Sequence, residues 1–196
     1  LAVLPLFHIF GLNVVLGGAM HAGGCVLLIE RFDPSSALDA IARHEATLVS
    51  GPPTMWAALA DQPDADPAAL ASVRLATSGA AKLPDEVPRR LMERFGVRLV
   101  EGYGLTETSP VVATANGLPD APVGSIGRPI RGIEMRLVDP EGDDVLIGDE
   151  GEVWVRGPNV FHGYWNDPEA TAAALTPDGW LRTGDLAVVN DDGYLF

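Results

Sequence analysis

The stretch Glu101–Glu107 reads EGYGLTE, and it decides how the rest of the chain can be interpreted. It follows Val97–Val100, whose apolar, β-branched composition is typical of a strand that runs into a core. Glycine then alternates with other residues, and because glycine has no Cβ it permits a sharp turn and a close approach to the backbone. We expect the strand to end abruptly at these glycines and a short helix to begin at Thr106.

The side chains that follow this turn suit a nucleotide. Unpaired N–H groups at a helix start, together with the helix dipole, favour an anion. The Thr106 hydroxyl suits a phosphate oxygen, the Glu107 carboxylate suits Mg²⁺, and the Tyr103 ring offers a face on which a base can stack. The alternative is a plain strand-to-helix turn that Thr106 caps and in which Glu107 only complements the dipole. The spacing alone leaves both interpretations open.

Strands and helices alternate over residues 1–116. The predicted strands are Leu1–Leu6, Cys25–Ile29, Thr47–Ser50, Val73–Thr77 and Val97–Val100. The predicted helices include one that Asp33 caps and one over Pro84–Phe95. This alternation predicts an α/β fold with a mostly parallel sheet flanked by helices, which holds ligands at the carboxyl ends of its strands.

Residues 117–196 have a different pattern, in which Gly and Pro separate short strands. The predicted strands are Glu134–Val138, Glu152–Arg156 and Leu186–Asn190, and a helix over Pro168–Leu175 is capped by Asp167. Such spacing is typical of an antiparallel sheet or barrel. We therefore predict two subdomains: an α/β subdomain over residues 1–116 and a smaller antiparallel β-rich, barrel-like subdomain over residues 117–196.

Composition narrows the class of protein. The chain has 196 residues, and 27 acidic against 13 basic side chains give a net charge of −14, which argues against nucleic acid or an anionic membrane surface as a partner. The apolar segment 10–29 is interrupted by Asn13, His21 and two Gly-Gly pairs, so we predict no integral membrane segment. One cysteine, Cys25, allows no intrachain disulfide and fits a reducing cytoplasm; we expect it to fill the core.

The sequence YGLTET at Tyr103–Thr108 resembles the signature of the adenylate-forming superfamily, which includes acyl-CoA synthetases, luciferases and the adenylation domains of peptide synthetases. Three further stretches resemble family segments in the family's order: LPLFHIFG at Leu4–Gly11, TSGAAKLP at Thr77–Pro84 and TGDL at Thr183–Leu186. The resemblance covers essentially the whole chain and is to the AMP-binding, fatty-acid and acyl-CoA synthetase branch. Family segments expected before and after these motifs are missing, so we expect an internal fragment that is itself inactive.

The resemblance implies a role for each matching residue. Thr106 contacts the AMP phosphate, Glu107 holds Mg²⁺, Asp185 takes both ribose hydroxyls, and His8 borders the carboxylate site. The implied nucleotide-binding residues are Ser78, Gly79, Ala80, Ala81, Glu101, Gly102, Tyr103, Gly104, Leu105, Thr106 and Asp185. The implied catalytic residues are Thr106, Glu107 and His8, with Glu107 as the metal ligand.

Simpler interpretations of these motifs stay open at this point. His8 can be a core histidine with its hydrogen bonds satisfied, residues 78–81 can form a tight turn that needs no ligand, and Gly184-Asp185 can be an ordinary turn. Lys82, the only lysine of the chain, stands where relatives often have proline.

The resemblance implies an activity with ATP, Mg²⁺ and coenzyme A: a carboxylic acid forms an acyl-adenylate and then an acyl-CoA thioester. Amino-acid-activating relatives usually carry an aspartate where this chain has Phe7-His8, and a buried ammonium without a counter-ion is costly. The apolar residues of His8–Leu16 and Val111–Val112 favour a fatty or other apolar acid. The alternatives are an acyl-adenylate ligase that loads a carrier protein and a non-catalytic nucleotide-binding domain.

Overall fold

The computed structural model describes residues 1–196, which form two compact units, Leu1–Gly102 and Tyr103–Phe196. The sequence placed the change of architecture at residue 117. In the structure, Val112 and Ala113 already pack in the core of the second unit, beside Val153 and Val155. The segment 103–116 is therefore part of the second compact unit, and the subdomain ranges drawn from the sequence stay a prediction.

The first unit alternates helices with parallel strands. A π-helical segment, Phe10–Gly17, precedes the helices α1 (Gly18–His21), α2 (Pro34–His44), α3 (Pro53–Ala60) and α4 (Glu86–Phe95), and a 3₁₀ helix spans Pro67–Leu70. The strands are β1 (Leu48–Gly51), β2 (Leu75–Ser78) and β3 (Leu99–Gly104), which pair in parallel in the order β1-β2-β3. The parallel sheet flanked by helices confirms the first half of the predicted fold class.

Local sequence signals set the ends of the helices. The Asp33 carboxylate accepts a hydrogen bond from the Ser36 backbone N–H at 2.8 Å, and Pro34 occupies the first turn of α2, as predicted. Helix α4 begins two residues later than predicted. Gly96 follows its last residue as the cap, and its φ of +66° is a left-handed conformation that suits glycine.

The core of the first unit lies between the helices and the sheet. Trp56 on α3 is fully buried, and its indole N–H donates to the Thr77 carbonyl of β2 at 3.0 Å, so its one polar atom is satisfied. The helix α4 is tied to the end of α3 because Arg94 donates to the Ala60 carbonyl at 2.9 Å. The largest fully buried side chains in this core are Trp56, Ile41, Leu59, Leu70 and Leu91.

Two of the predicted strands are wrong. Leu1–Leu6 and Cys25–Ile29 meet only at one parallel bridge between Ala2 and Leu28. Phe7, just after the first of them, is 94% exposed, and Cys25 is exposed instead of filling the core. Apolar composition alone misled the prediction, since Pro5 has no N–H to donate to a ladder, and two adjacent glycines, 23 and 24, precede the second segment.

The second unit is built from antiparallel strands. A 3₁₀ turn, Thr106–Thr108, leads into β4 (Val111–Thr114), which pairs with β5 (Arg128–Pro129). A three-stranded sheet follows, with β6 (Glu134–Val138), β7 (Glu150–Arg156) and β8 (Leu181–Val188) in that order, and α5 (Pro168–Ala174) precedes β8. The smaller antiparallel part confirms the second half of the predicted fold class.

The capping signal of α5 works as the sequence indicated. The Asp167 carboxylate accepts from the Ala170 backbone N–H at 2.9 Å, and Pro168 stands in the first turn. None of the helices of the chain has both the length and the apolar character that crossing a bilayer requires.

Candidate functional site

The sequence suggested that the strand ends at Gly102, the first glycine of the motif. In the structure, strand β3 continues through Gly104. An added Cβ at Gly104 would lie 1.7 Å from the Pro110 carbonyl oxygen, and the Leu105 N–H donates to that same oxygen at 3.0 Å. The chain therefore folds back tightly on itself, and glycine at 104 is required by this close approach rather than by a sharp bend.

The turn Thr106–Thr108 is held from inside by its last residue. Thr108 is fully buried; its Oγ1 accepts from the Leu105 N–H at 2.9 Å and lies within hydrogen-bonding distance of the Pro110 carbonyl oxygen. Leu105, not Thr106, occupies the position before the first helical residue, so the interpretation of Thr106 as a cap is wrong. The turn leaves Thr106 exposed and Glu107 half-buried.

A second loop of the same unit, Asn159–Tyr164, binds this turn from outside. The Asn159 side-chain amide donates to the Thr108 carbonyl at 2.7 Å and the Phe161 N–H donates to the Glu107 carbonyl at 2.8 Å. The Tyr164 hydroxyl donates to Glu107 Oε1 at 2.8 Å, and this bond raises the pKa of the Tyr164 phenol. Neither Asn159 nor Tyr164 could be assigned to the site from the sequence, because both lie more than 50 positions from the turn.

Asp185 lies beside the same segment of chain. The Tyr103 hydroxyl donates to Asp185 Oδ2 at 2.7 Å although the two residues are 82 positions apart. Burial, and then the bond to Asp185, raise the pKa of Tyr103, so the phenol stays protonated and donates. The Asp185 N–H donates to Thr183 Oγ1 at 3.1 Å, which fixes the turn that carries the carboxylate. The structure thus places Asp185, the predicted ribose ligand, in a direct hydrogen bond with the first residue of the YGLTET motif.

The predicted adenine loop of the first unit is tight and partly buried. Ser78 is 2% exposed and its Oγ has no hydrogen-bond partner, while Ala80 has a φ of +69°, which is rare for a residue with a side chain. A Cβ on Gly79 would come within 3.3 Å of the Gly102 carbonyl oxygen. Ala80 and Ala81 are exposed. This geometry accommodates a turn with or without a ligand, and the nucleotide role of residues 78–81 stays a prediction.

Glu101 has the most unusual carboxyl group in the first unit. Burial, with a smaller contribution from the negative charge of Asp85, raises its pKa to about 7 from an ordinary value of 4.5. The Leu83 backbone N–H and the Lys82 charge act in the opposite direction but do not cancel the effect of burial. The Glu101 carboxyl, which lies within β3, therefore changes charge near neutral pH.

We expect Glu101→Gln to stabilise the protein at high pH. The folded state binds the proton more tightly than the unfolded state, so ionisation costs stability as the pH rises from about 4.5 to 7, and the full cost is present above 7. After a discount for partial exposure, the variant should gain on the order of 1–2 kcal/mol at pH 8 and nothing at pH 4. Urea unfolding at pH 4, 6 and 8 measures the difference.

The control for this prediction is Glu86→Gln, which removes a carboxylate from an exposed position of α4 in the same unit. A difference between Glu101→Gln and the unmodified protein that stays constant from pH 4 to pH 8 would contradict the assignment.

His8 is exposed, so the interpretation as a core histidine is wrong. Its ring Nδ1 accepts from the Phe10 N–H at 3.2 Å, which orients the imidazole at the start of the π-helical segment. The other ring nitrogen, Nε2, faces away from this bond and can meet a ligand or solvent. The role of His8 at a carboxylate site stays a prediction.

The second unit offers Mg²⁺ one carboxylate rather than a cage. No group of three or more His, Cys, Asp or Glu side chains is placed to hold a metal ion. Mg²⁺ is commonly bound by one or two carboxylates together with substrate phosphates and water. Since Tyr164 occupies only Oε1 of Glu107, Oε2 can serve a metal ion that a triphosphate brings. The residues present therefore fit a nucleotide-borne Mg²⁺.

A parallel α/β unit with an antiparallel β unit after it, and a YGLTE turn whose backbone is fixed on both sides, are the features of an adenylate-forming enzyme. The chain belongs to the AMP-binding enzyme family, whose model matches residues 1–165. The family resemblance found in the sequence is thereby confirmed.

Curated proteins similar to this chain include CoA ligases. The chain is 42% identical over 195 residues to feruloyl-CoA synthase from an Amycolatopsis species, covering 99% of this chain and 39% of that protein. It is 39% identical over 202 residues to 4-coumarate–CoA ligase 2 of Nicotiana tabacum, covering 100% of this chain and 37% of the relative. The chain therefore spans less than two fifths of the length of these curated relatives.

Solved structures share the fold closely. Apo MatB from Rhodopseudomonas palustris superposes with a TM-score of 0.92 at 34% identity, covering 99% of this chain and 38% of that one. The O-succinylbenzoate coenzyme A synthetase MenE from Bacillus subtilis, in complex with AMP, gives 0.85 at 33% identity, covering 98% of this chain and 39% of that one.

Proposed function

We propose that the protein carrying this chain is an ATP-dependent acid–thiol ligase, which forms an acyl-adenylate and then an acyl-CoA thioester. Family membership and relatives named as CoA ligases support this reaction class. The observation that carries the proposal lies in the second unit: the turn bearing Thr106 and Glu107 is fixed by backbone bonds, and Asp185 is bonded to Tyr103 on the same segment.

Asp185 and Glu107 each have one carboxylate oxygen held by a tyrosine hydroxyl, which supports their proposed tasks. Tyr103 binds Oδ2 of Asp185 and leaves lone pairs on Oδ1, which can accept from two adjacent ribose hydroxyls. Tyr164 binds Oε1 of Glu107 and leaves Oε2 for the metal. The exposed Thr106 hydroxyl donates to a phosphate oxygen. Mg²⁺, when bound, neutralises charge that develops on the phosphates.

The chain's own residues then act by positioning rather than by covalent chemistry. In the first step the substrate carboxylate attacks the α-phosphorus of ATP, and pyrophosphate leaves. In the second step a thiolate attacks the acyl carbon, the bond to the phosphate oxygen breaks, and AMP leaves. His8 is proposed to border the acyl carboxylate, and residues 78–81 and 101–105 to line the nucleotide.

The proposed acid is apolar, either a fatty acid or an aryl acid. Residues His8–Leu16 include no acidic or lysine and arginine side chain that could pair with a second charge on the substrate. Of the pair Val111–Val112, Val112 is fully buried in the core of its unit, so only Val111 is accessible enough to meet a substrate. Feruloyl-CoA synthase and 4-coumarate–CoA ligase, by their names, act on aryl acids.

The test uses the complete protein that carries these 196 residues. We expect acid-dependent exchange of pyrophosphate into ATP, stronger with fatty or hydroxycinnamic acids than with malonate or amino acids, and thioester formation with CoA. If the acyl group is transferred only to a carrier-protein thiol, the acceptor in the second step is a carrier protein and not CoA. ATP binding without exchange for any acid would refute the ligase proposal and favour a non-catalytic nucleotide-binding domain. The isolated chain should show no pyrophosphate exchange. The cytoplasmic location of the protein stays a prediction.

A further inference from the structure

Glu107 is not rigidly placed by its own backbone. Its side chain has three rotatable bonds, is only half-buried, and stands on a turn of three residues. A carboxylate that must meet a ligand in one orientation loses this rotamer freedom on binding. A neighbour that fixes the carboxylate in advance lowers that cost, because the ordering is then already present in the free protein.

Tyr164 is anchored well enough to be that neighbour. Its N–H donates to Thr171 Oγ1 of α5 at 2.9 Å, and its ring meets the Phe161 ring edge-on with centroids 4.8 Å apart. Phe161 in turn donates its N–H to the Glu107 carbonyl at 2.8 Å. The loop therefore holds both the backbone and the carboxylate of Glu107 through neighbouring residues.

We infer that Tyr164 is a positioning residue for Glu107: its phenol O–H, 2.8 Å from Oε1, holds the carboxylate and leaves Oε2 for the metal ion that would accompany ATP. The inference rests on the proposed metal role of Glu107. A bond from an O–H to a carboxylate is charge-assisted and directional, so it selects one rotamer of the glutamate and a single oxygen for the metal. Nothing in the motif YGLTET itself supplies this constraint.

Two substitutions distinguish a positioning role of Tyr164 from a role in folding. Tyr164 is 40% exposed, and Tyr164→Phe keeps the ring against Phe161 and the backbone bond to Thr171 while it removes only the O–H. Trp165 is the next residue, is 91% exposed and lines the same open groove beside α5 as Tyr164. Trp165→Phe is therefore a matched control that changes an aromatic side chain without touching the Glu107 carboxylate.

The experiment measures binding of Mn²⁺·ATP to the complete protein by electron paramagnetic resonance. Tyr164→Phe should weaken this binding about 3- to 10-fold, because the variant keeps the metal-binding carboxylate and loses only its ordering in advance of binding. ATP binding in EDTA, the KM for the acid and the midpoint of thermal unfolding should stay unchanged, and Trp165→Phe should bind Mn²⁺·ATP as the unmodified protein does. Unchanged Mn²⁺·ATP binding in Tyr164→Phe, or equal weakening with EDTA, would overturn the inference.

A double-mutant cycle with Glu107→Gln separates the two proposals. If Glu107→Gln weakens Mn²⁺·ATP binding and Tyr164→Phe adds nothing in that background, the inference is supported. If Glu107→Gln weakens binding but the effect of Tyr164→Phe is the same in both backgrounds, the positioning role fails and the metal role of Glu107 stands. If Glu107→Gln changes nothing, the metal role fails and the inference fails with it.

Discussion

Replacing Glu107 by glutamine in the complete protein is expected to lower acyl-adenylate formation about 10²- to 10³-fold, the loss typical when one group that stabilises charge in the transition state is removed. Glutamine has the same shape, and its amide oxygen can still accept the hydroxyl of Tyr164. The Phe161 bond to the backbone at 107 does not involve the side chain. The variant therefore removes the charge and leaves the turn in place. Acid-dependent pyrophosphate exchange at several Mg²⁺ concentrations measures the effect.

The control for this variant is Glu169→Gln, which removes a carboxylate from the exposed first turn of α5 in the same unit. It should retain full exchange activity, because no hydrogen bond or ion pair joins the Glu169 side chain to the 106–108 turn. Glu107→Gln with the unmodified rate and the unmodified Mg²⁺ dependence would show that this carboxylate does not serve the metal.

The parts of the fold that the sequence predicted are those that depend on neighbours in the chain. The cap at Asp33 needs only Ser36, three residues away, and the strand predicted over Glu134–Val138 has the same bounds as β6. The errors have a different origin. Leu1–Leu6 is as apolar as a buried strand, but whether it joins a sheet depends on partners that local composition does not specify.

In the candidate site, too, the sequence predicted the local features and did not predict the contacts between residues distant in the chain. The motif at 103–107 identified the turn, since its residue types are local, but the sequence did not pair Tyr103 with Asp185 across 82 positions. Tyr164 lies outside the motif, and its hydroxyl contact with Glu107 exists only because the loop folds back on the turn. The raised pKa of Glu101 was equally hidden, because burial causes it and burial is a property of the folded chain.

Gly104→Ala is expected to destabilise the second unit by about 3 kcal/mol or more, a large part of the 5–15 kcal/mol by which proteins are usually stable. The reason is space: the new Cβ would lie 1.7 Å from the Pro110 carbonyl oxygen and 3.0 Å from the Val111 Cα, and all of these atoms belong to backbone that has no freedom to move aside. Any relaxation must open the bond from the Leu105 N–H to Pro110, which closes the loop carrying the 106–108 turn.

Two measurements on the complete protein separate this effect from a general intolerance of alanine. Urea unfolding gives the loss of stability, and hydrogen exchange should show faster exchange at the amides of β4 (Val111–Thr114), which follows the strained point directly. Gly18→Ala is the control, because Gly18 is helical with its nearest contact, the Asn13 carbonyl oxygen, at 3.9 Å, so alanine there should be neutral or slightly stabilising. If Gly104→Ala unfolds within 0.5 kcal/mol of the unmodified protein, the close return of the chain at Pro110 is not what requires glycine in this motif.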